Sequence, residues 1–379
     1  MRILVVPDKF KGTLTALAAA QAIASGWRSV RRNDNVQILP MSDGGDGFGE
    51  VMSQITGAQV REVRTVDAAG QSCVARWWFD PRKGHAIVES ANVIGLAMLP
   101  QGRFHPFDLD TRGLGAVIQA AAQAGATRCL IGIGGSATND GGFGLARALG
   151  WEFRDRQNGL VESWTDLPRA VKVVPPKLRR WFRSCVVAVD VQNRLLGRHG
   201  ATRVYGPQKG ITPADFRAAE NALRNLASLI ESQSGTNVAA EPGTGAAGGL
   251  GFGLRAFLGG RLRPGFDLFA QHAHLQKRLR WADLVITGEG QIDTSTLMGK
   301  GVGQIANRCA TLGVPCFGLA GNVNLPATAS TGDFSWTQGI TNLTTREEAL
   351  TKPVYWLRRL AAAAANLSPV VRLSVGVSP

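Results

Sequence analysis

Residues 129–150 read CLIGIGGSATNDGGFGLARALG, and their composition is that of a loop built to hold an anion. The apolar Leu130, Ile131 and Ile133 predict a buried strand. Gly132, Gly134, Gly135, Gly141, Gly142 and Gly144 then interleave with Ser136, Thr138, Asn139 and Asp140, and apolar residues resume at helical spacing over 143–149. A strand that empties through a glycine-rich polar loop into a helix exposes backbone N–H groups to a negative ligand. Each glycine costs backbone entropy. Six of them with four small polar residues in thirteen positions therefore point to a phosphate or carboxylate site rather than to packing.

The acidic residues also fall into a pattern. Asp8 follows the apolar run 3–6, and Asp43 and Asp46 follow 36–39 within MSDGGDG. Asp140 lies beyond 129–133, Asp190 ends 185–189, and Glu289 and Asp293 follow 284–287 within TGEGQID. Ligands of open α/β sheets bind outside the carboxyl ends of the strands. Singly, each carboxylate reads as an N-cap or turn residue; together they suggest one cleft supplied with Mg²⁺ ligands and a base. A second glycine loop, PGTGAAGGLGFG at 242–253, sets Gly243, Gly245 and Gly248 in GxGxxG spacing ahead of a helical pattern. Turns in PDKFKG and GPQKG carry Lys9, Lys11 and Lys209. Phosphoryl transfer is mainly positioning and charge neutralisation, so amides, lysines and a carboxylate-held metal are the parts it needs. No Walker A sequence is present, because MGKG at 298–301 lacks the upstream glycine and the Ser/Thr.

Two other functions compete. Gly132, Gly134 and Ala137 fit a dinucleotide fingerprint, Glu152 lies twenty residues on, and Tyr205 and Lys209 have the YxxxK spacing of some dehydrogenases. An NAD(P)-dependent reductase of a small hydroxy or keto acid is the alternative these residues raise, although Gly206-Pro207 argues against one helix carrying the pair. The other is a basic nucleic-acid-binding protein. The net charge is +14, with basic clusters at 28–32, 277–280 and KLRRWFR at 177–183, the last on an expected helix. No nucleic-acid motif accompanies them, which leaves solvated surface or a field that draws in anionic substrates. His272 and His274 are two apart, a spacing that argues against a zinc hydrolase.

Positioning these groups requires alternating strands and helices. Apolar runs at 3–6, 36–39, 129–133, 186–189, 284–287 and 316–319 predict strands. Helical patterns cover roughly 13–30, 111–124, 143–149, 213–232, 247–258, 300–311 and 350–365. The alternation predicts an α/β fold with largely parallel sheets, and the stretch 60–90, broken by AAGQ and DPRKG turns, predicts an antiparallel portion. At 379 residues two domains are expected. The expected division puts 1–62 plus 282–379 in one discontinuous α/β domain, and 63–281 in a second that holds the antiparallel portion. No apolar run approaches the roughly 18 residues of a membrane span, and the N-terminal run is too short for a signal-peptide core. The five cysteines form no CxxC pair. A cytoplasmic enzyme with reduced cysteines is expected.

In this order the motifs resemble those of the type I glycerate kinases, over nearly the whole chain. The family's PDSFKG is PDKFKG here, with Lys9 where serine is usual, and its MADGGEG is MSDGGDG. GLGGSATNDGG is present as GIGGSATNDGG, and CDVxNPLxG as VDVQNRLLG at 189–197. GPQKG (206–210), GAAGGLGF (245–252), DLVITGEGxxD (283–293) and GK (299–300) follow. Arg194 replaces the proline of NPL, GKGVGQIA replaces GKxPxGVA, and TRGLGAVI at 111–118 keeps only the spacing of TTYGTGELI. The acidic residues and lysines are intact.

The resemblance implies transfer of the ATP γ-phosphoryl group to D-glycerate, with Mg²⁺, giving 2-phosphoglycerate in most characterised relatives. It also implies two dissimilar α/β domains, one flavodoxin-like, with the active site in the cleft between them. Expected partners are D-glycerate and ATP, with neither nucleic acid nor membrane, and a homodimer is one option for assembly. On that footing Asp190 is the expected general base, and Lys11 and Lys209 neutralise the substrate carboxylate or the transferred phosphate. Gly134, Gly135, Ser136, Thr138 and Asn139 should cradle one anion; Gly243, Gly245 and Gly248, with Lys300, should serve another. Which loop holds ATP and which holds glycerate stays open. Asp43, Glu289, Asp293 and Asp8 are the expected Mg²⁺ ligands, and Arg112 is either a carboxylate clamp or a surface residue.

Overall fold

The computed structural model describes residues 1–178, 180–299, 301–325 and 332–375. They form two compact units: the first joins Met1–Ser42 to Phe269–Pro379, and the second is Asp43–Leu268. The first unit opens with β1 (Arg2–Pro7) and β2 (Asn35–Ile38). The second contributes β3 (Gln59–Val66), β4 (Ser72–Asp80), β5 (His85–Glu89) and β6 (Arg128–Gly132). It continues with β7 (Glu152–Arg154), β8 (Lys172–Val174), β9 (Ser184–Val189) and β10 (Arg261–Pro264). The chain then returns to the first unit with β11 (Leu284–Asp293), β12 (Cys316–Asn324) and β13 (Trp336–Gly339).

In the first unit the strand order is β13-β12-β11-β1-β2, with every pair parallel. Counted along the unit this is 2-1-3-4-5, the flavodoxin-like order, whose direction reverses between β1 and β11. β1 is buried along all but its first residue, as a central parallel strand covered on both faces must be. One face carries Ile23 and Trp27 of the helix Ala16–Val30 and Leu357 and Leu360 of the helix Pro353–Val375, packed with Ile3, Ile286 and Phe317. Asp8 follows β1 directly, and Glu289 and Asp293 lie in the carboxyl half of β11. The sheet's topology therefore delivers these acids to its switch point.

In the second unit the order is β10-β9-β6-β5-β4-β3. β10, β9, β6 and β5 are parallel, while β5, β4 and β3 are antiparallel, as the short runs over 60–90 predicted. Alternate side chains point to opposite faces. Ile131 and Val88 enter the larger core with Phe143, Phe153, Trp164 and Phe252, while Leu130 and Ile87 pack with Phe48, Met52 and Trp78 on the other face. Because β5, β6, β9 and β10 run the same way, the chain segments that follow them share one edge of the sheet. β7 and β8 form a separate two-stranded sheet.

The junctions at 42/43 and 268/269 fall before the expected 62/63 and 281/282. The helix Phe48–Thr56 packs into the second sheet, and the helix Leu275–Trp281 packs on the helix Gly303–Leu312 of the first unit. The C-terminal pattern at 350–365 resolves into two helices, Arg346–Thr351 and Pro353–Val375, because Pro353 suits a first turn but not an interior. KLRRWFR forms no helix over its described residues; the Arg180 guanidinium folds back onto the carbonyls of Phe182 and Arg183.

Candidate active site

The loop after β6 runs through 133–142 before the helix Phe143–Ala148 begins. Asp140 holds it in shape. This carboxylate is fully buried and accepts from Thr111 N (2.9 Å), Thr111 Oγ1 (2.7 Å), Gly144 N (2.9 Å) and Gly142 N (3.1 Å). Burial pushes its carboxyl up, and these donors oppose the shift. Asp140 thus braces the loop and the helix start rather than facing a ligand.

Lys209 closes the loop from the other side. It ends the 3₁₀ turn Pro207–Lys209, is 7% exposed, and donates from Nζ to Ser136 Oγ (3.0 Å) and the Thr138 carbonyl (2.6 Å). Burial pulls its ammonium down to about 7, against the opposing charge of Asp140. A turn lysine in GPQKG reads as solvated, and its burial is the feature the local sequence hides. Around it, the N–H groups of Ser136, Thr138 and Asn139 find no acceptor among the described residues. Thr138 Oγ1 and Asn139 Oδ1 are buried without a partner among the described residues, although Asn139 Nδ2 donates to Thr202 Oγ1 at 3.0 Å. Buried polar groups are ordinarily paired, so this concentration of unpaired donors and acceptors around an ammonium suits a small polar anion. Gly134 and Gly135 form the more exposed rim of the same loop.

The second glycine loop supports the first. Gly245 N donates to the Asn193 carbonyl (2.8 Å), and Gly141 N donates to the Gly248 carbonyl (3.1 Å). Gly248 has φ +68°, and a Cβ there would overlap the Thr138 carbonyl oxygen and meet Asn139 Cα at 2.8 Å. Ala247 and Gly249 share the left-handed conformation, so the helix Ala246–Leu258 becomes regular only beyond them. Gly243, Gly245 and Gly248 are all buried. Only Gly248 packs against the β6 loop; Gly243 lies against Val189 and Val191, and Gly245 against Asn193 and Arg194.

Further along the same sheet edge stands Asp190, exposed, directly after β9. Tyr205 OH donates to Asn193 Oδ1 at 2.6 Å, and burial together with the Asp190 charge raises the phenol. Asp43 accepts weakly from Gly45 N (3.3 Å), and Gly44 lies against Ala188 near the end of β9. Sequence reasoning missed Glu89, which ends β5 and is 4% exposed. Its carboxylate accepts from Gly47 N (2.9 Å) and Gly49 N (2.8 Å), fixing the DGGDG loop at the start of the helix Phe48–Thr56. An acid at the end of the apolar run 86–88 met the criterion applied to the others. Arg112 is exposed and pairs with Asp110 at 3.3 Å, ahead of the helix Leu114–Gln123 rather than on it.

In the first unit Lys11 is exposed, with no hydrogen-bond or ion-pair partner among the described residues, and its backbone runs beside Gly290. Asp8 Oδ1 accepts from Lys9 N (2.7 Å), and Glu289 Oε1 accepts from Thr296 Oγ1 (2.7 Å). Asp293 uses both oxygens locally: Oδ1 on Ser295 N and Oγ, Oδ2 on Gln291 Nε2. These bonds hold its carboxyl below the usual range. Lys300 lies outside the described residues. Among the described residues no three His, Cys, Asp or Glu side chains group as a ready-made metal site, so the expected ligands Asp43, Glu289, Asp293 and Asp8 are not brought together as one.

The reductase signature lacks its geometry. The dinucleotide fingerprint needs a helix starting at its glycines, whereas here residues 133–142 intervene. Glu152 lies in the separate β7–β8 sheet and pairs with Arg154, and Tyr205 and Lys209 turn to different partners. No helix among the described residues is long and apolar enough to cross a membrane.

Comparison with known proteins agrees with this geometry. Residues 3–368 match the glycerate kinase family. The chain is 37% identical to a glycerate kinase of Halalkalibacterium halodurans, covering 85% of each chain. It is 35% identical to the glycerate 2-kinase of Escherichia coli K12, covering 85% of this chain and 86% of that one. The crystal structure of a candidate glycerate kinase 2 from Salmonella typhimurium LT2 superposes with a TM-score of 0.83 at 33% identity, over 98% of this chain and 99% of that chain. The motif order, the two α/β units and these matches together establish that the chain belongs to the glycerate kinase family of ATP-dependent phosphotransferases.

Proposed function

We propose that this protein transfers the γ-phosphoryl group of ATP to D-glycerate and releases 2-phosphoglycerate. The observation that carries the substrate reading is the buried Lys209 ammonium, set among unpaired N–H groups in the loop after β6. A compact monoanion bound there raises the lysine's proton affinity and supplies acceptors to those groups, so the carboxylate of a small hydroxy acid matches it. The choice of the 2-hydroxyl is supported by the name of the E. coli relative, a glycerate 2-kinase.

Asp190 is assigned as the base. It is exposed at the end of β9, next to the β6 loop on the same sheet edge, so it can take the hydroxyl proton as the O–P bond forms and pass it to solvent. Lys11, exposed and unpartnered among the described residues, is assigned to charge that develops on the transferred group. Gly248 is assigned to holding the β6 loop in place, and Gly243 and Gly245 to close packing against the segment that follows β9. In the first unit the all-oxygen donors Asp8 and Glu289, at the switch point of its sheet, would suit a Mg²⁺ ion carried by ATP, which would neutralise phosphate charge. Asp293, with both oxygens spent on its own turn, is assigned to capping.

The test is a coupled assay with enolase and no phosphoglycerate mutase. Only 2-phosphoglycerate feeds enolase, so an immediate MgATP-dependent signal with D-glycerate is expected, abolished by EDTA. A signal that requires added mutase identifies the 3-phosphate. Turnover with another hydroxy acid, and none with glycerate, overturns the substrate.

A further inference from the structure

The six-stranded sheet of the second unit ends in β3, whose residues 59–62 and Arg64 are exposed. Among the described residues no backbone hydrogen bond reaches 59–64 from outside the β3–β4 ladder. An uncovered strand edge is a template for another strand. We propose that a second copy of this chain pairs with β3 across this edge, antiparallel and about a twofold axis at Val63, to form a homodimer.

The hairpin decides which backbone groups point outward. Asp67 N donates to the Gln71 carbonyl at 2.8 Å, and bonded and non-bonded pairs alternate along an antiparallel ladder. Thr65–Cys73, Val63–Ala75 and Arg61–Trp77 therefore bond within the hairpin. Val60, Glu62 and Arg64 turn their N–H and C=O groups away from β4. At Val66 the edge closes, because Gly113 lies so near that a Cβ there would overlap the Val66 carbonyl oxygen. The opposite edge strand of the sheet, β10, is four residues long and ends in Pro264, which has no N–H to offer. β3 is eight residues long and contains no proline.

Charge selects the occupant and the register. Glu62 and Arg64 share one face of β3, opposite Arg76 and Val74 of β4. Neither makes an ion pair among the described residues. With the twofold axis at Val63, Glu62 of each copy stands opposite Arg64 of the other, so one opposite-charge pair is made twice. Residues 62 and 64 then exchange four backbone hydrogen bonds with 64 and 62 of the second copy, and Val60 faces its Val66. Sliding the strand by two residues sets Glu62 against Glu62 or Arg64 against Arg64, and like charges directly opposite are destabilising. The edge is thus complementary to itself in one register. Pairing over so short a stretch covers less than the roughly 1,200 Å² of a standard interface, so the dissociation constant should be roughly 10–100 µM. β4 and β5 stand between this edge and β6, which leaves the Lys209 loop uncovered in the dimer.

The experiment is sedimentation velocity of the whole protein from about 1 µM to about 1 mM, a range that brackets a weak interface, with amide hydrogen exchange at both ends of it. The parent should pass from monomer to dimer, and exchange at the Glu62 and Arg64 amides should slow as it does. Glu62→Arg and Arg64→Glu each set like charges opposite one another in two symmetric pairs, and each should weaken the dimer on the order of 30-fold. Glu62→Arg/Arg64→Glu restores opposite charges in the same register and should recover about tenfold or more of that loss. Both side chains are exposed, and the exchange measurement on the parent needs no variant at all. A parent that stays monomeric overturns the proposal. So does a dimer that forms without slowing those two amides, since the contact then lies elsewhere, or a double variant as weak as the single ones, since the register is then wrong.

Discussion

Glycerate binding should take up a proton through Lys209. With its ammonium held at about 7, roughly half of the free protein is protonated there at pH 7 and about one-tenth at pH 8. A carboxylate set ~4 Å from the ammonium, at an effective dielectric near 20, interacts by about 4 kcal/mol, or about three pKa units. In the complex the lysine is then charged throughout the neutral range. Proton uptake should be about 0.5 per site at pH 7 and about 0.9 at pH 8, and affinity should weaken about tenfold per pH unit above 7. Calorimetric titration with D-glycerate in HEPES and in Tris, which differ in ionisation enthalpy, measures the uptake directly. Lys209→Met keeps the length of the side chain but removes the titration, and its uptake should be nil. Uptake that is absent in the parent, or unchanged in the methionine variant, refutes the assignment.

The same lysine should leave a mark on stability. In the unfolded chain the amine titrates near its ordinary 10.5, so between about pH 7 and 10.5 unfolding binds a proton that the folded site refuses. Stability should therefore rise with pH across that window, while below about pH 7 the folded protein bears the full cost of a buried charge. Denaturant melts of the parent minus those of Lys209→Met isolate this slope from other titrating groups. Against it stands a pH-independent loss in the variant of about 1–3 kcal/mol, because the Thr138 carbonyl loses its donor.

Two other substitutions separate chemistry from scaffold. Asp190→Asn keeps size and most hydrogen bonding, so kcat should fall on the order of 10²-fold with little change in melting temperature; retention of most of kcat would make Asp190 a structural cap. Gly248→Ala should cost roughly 2–4 kcal/mol in urea melts, combining a left-handed backbone with an overlap on the Thr138 carbonyl. An alanine variant as stable as the parent would mean that the two glycine loops are not locked together.

The parallel strands were legible because a strand buried on both faces must be a continuous apolar run, as in RILVVP and RCLIG. The antiparallel portion was legible from its turns. Junctions were not, since the helix Phe48–Thr56 carries Phe48 and Met52 whichever sheet it covers, and only Trp78, Ile87 and Leu130 decide which. The irregular fold of KLRRWFR was hidden for a similar reason. Its arginines are good helix formers, and what overrides them is the closure of Arg180 on neighbouring carbonyls.

At the site, residue type was local information and environment was not. GPQKG is polar, short and turn-like, and nothing in it says that Lys209 will be buried. That follows from Ser136 and Thr138, more than seventy residues earlier in the chain, which supply its partners. Glycine carried a double meaning for the same reason. A loop that must show its amides to an anion and a loop that must let another backbone pass are written with the same residue. Gly142 and Gly253 each lie where a Cβ would meet the other's Cα at 2.7 Å, so the two glycine motifs are two halves of one contact. The ammonium binds residues of the first half, 136 and 138, while the second half buttresses 138–142 from behind. A single buried constellation thus accounts for three separate sequence motifs, and its rigidity would hold the unpaired donors toward the proposed glycerate carboxylate at no further cost in ordering.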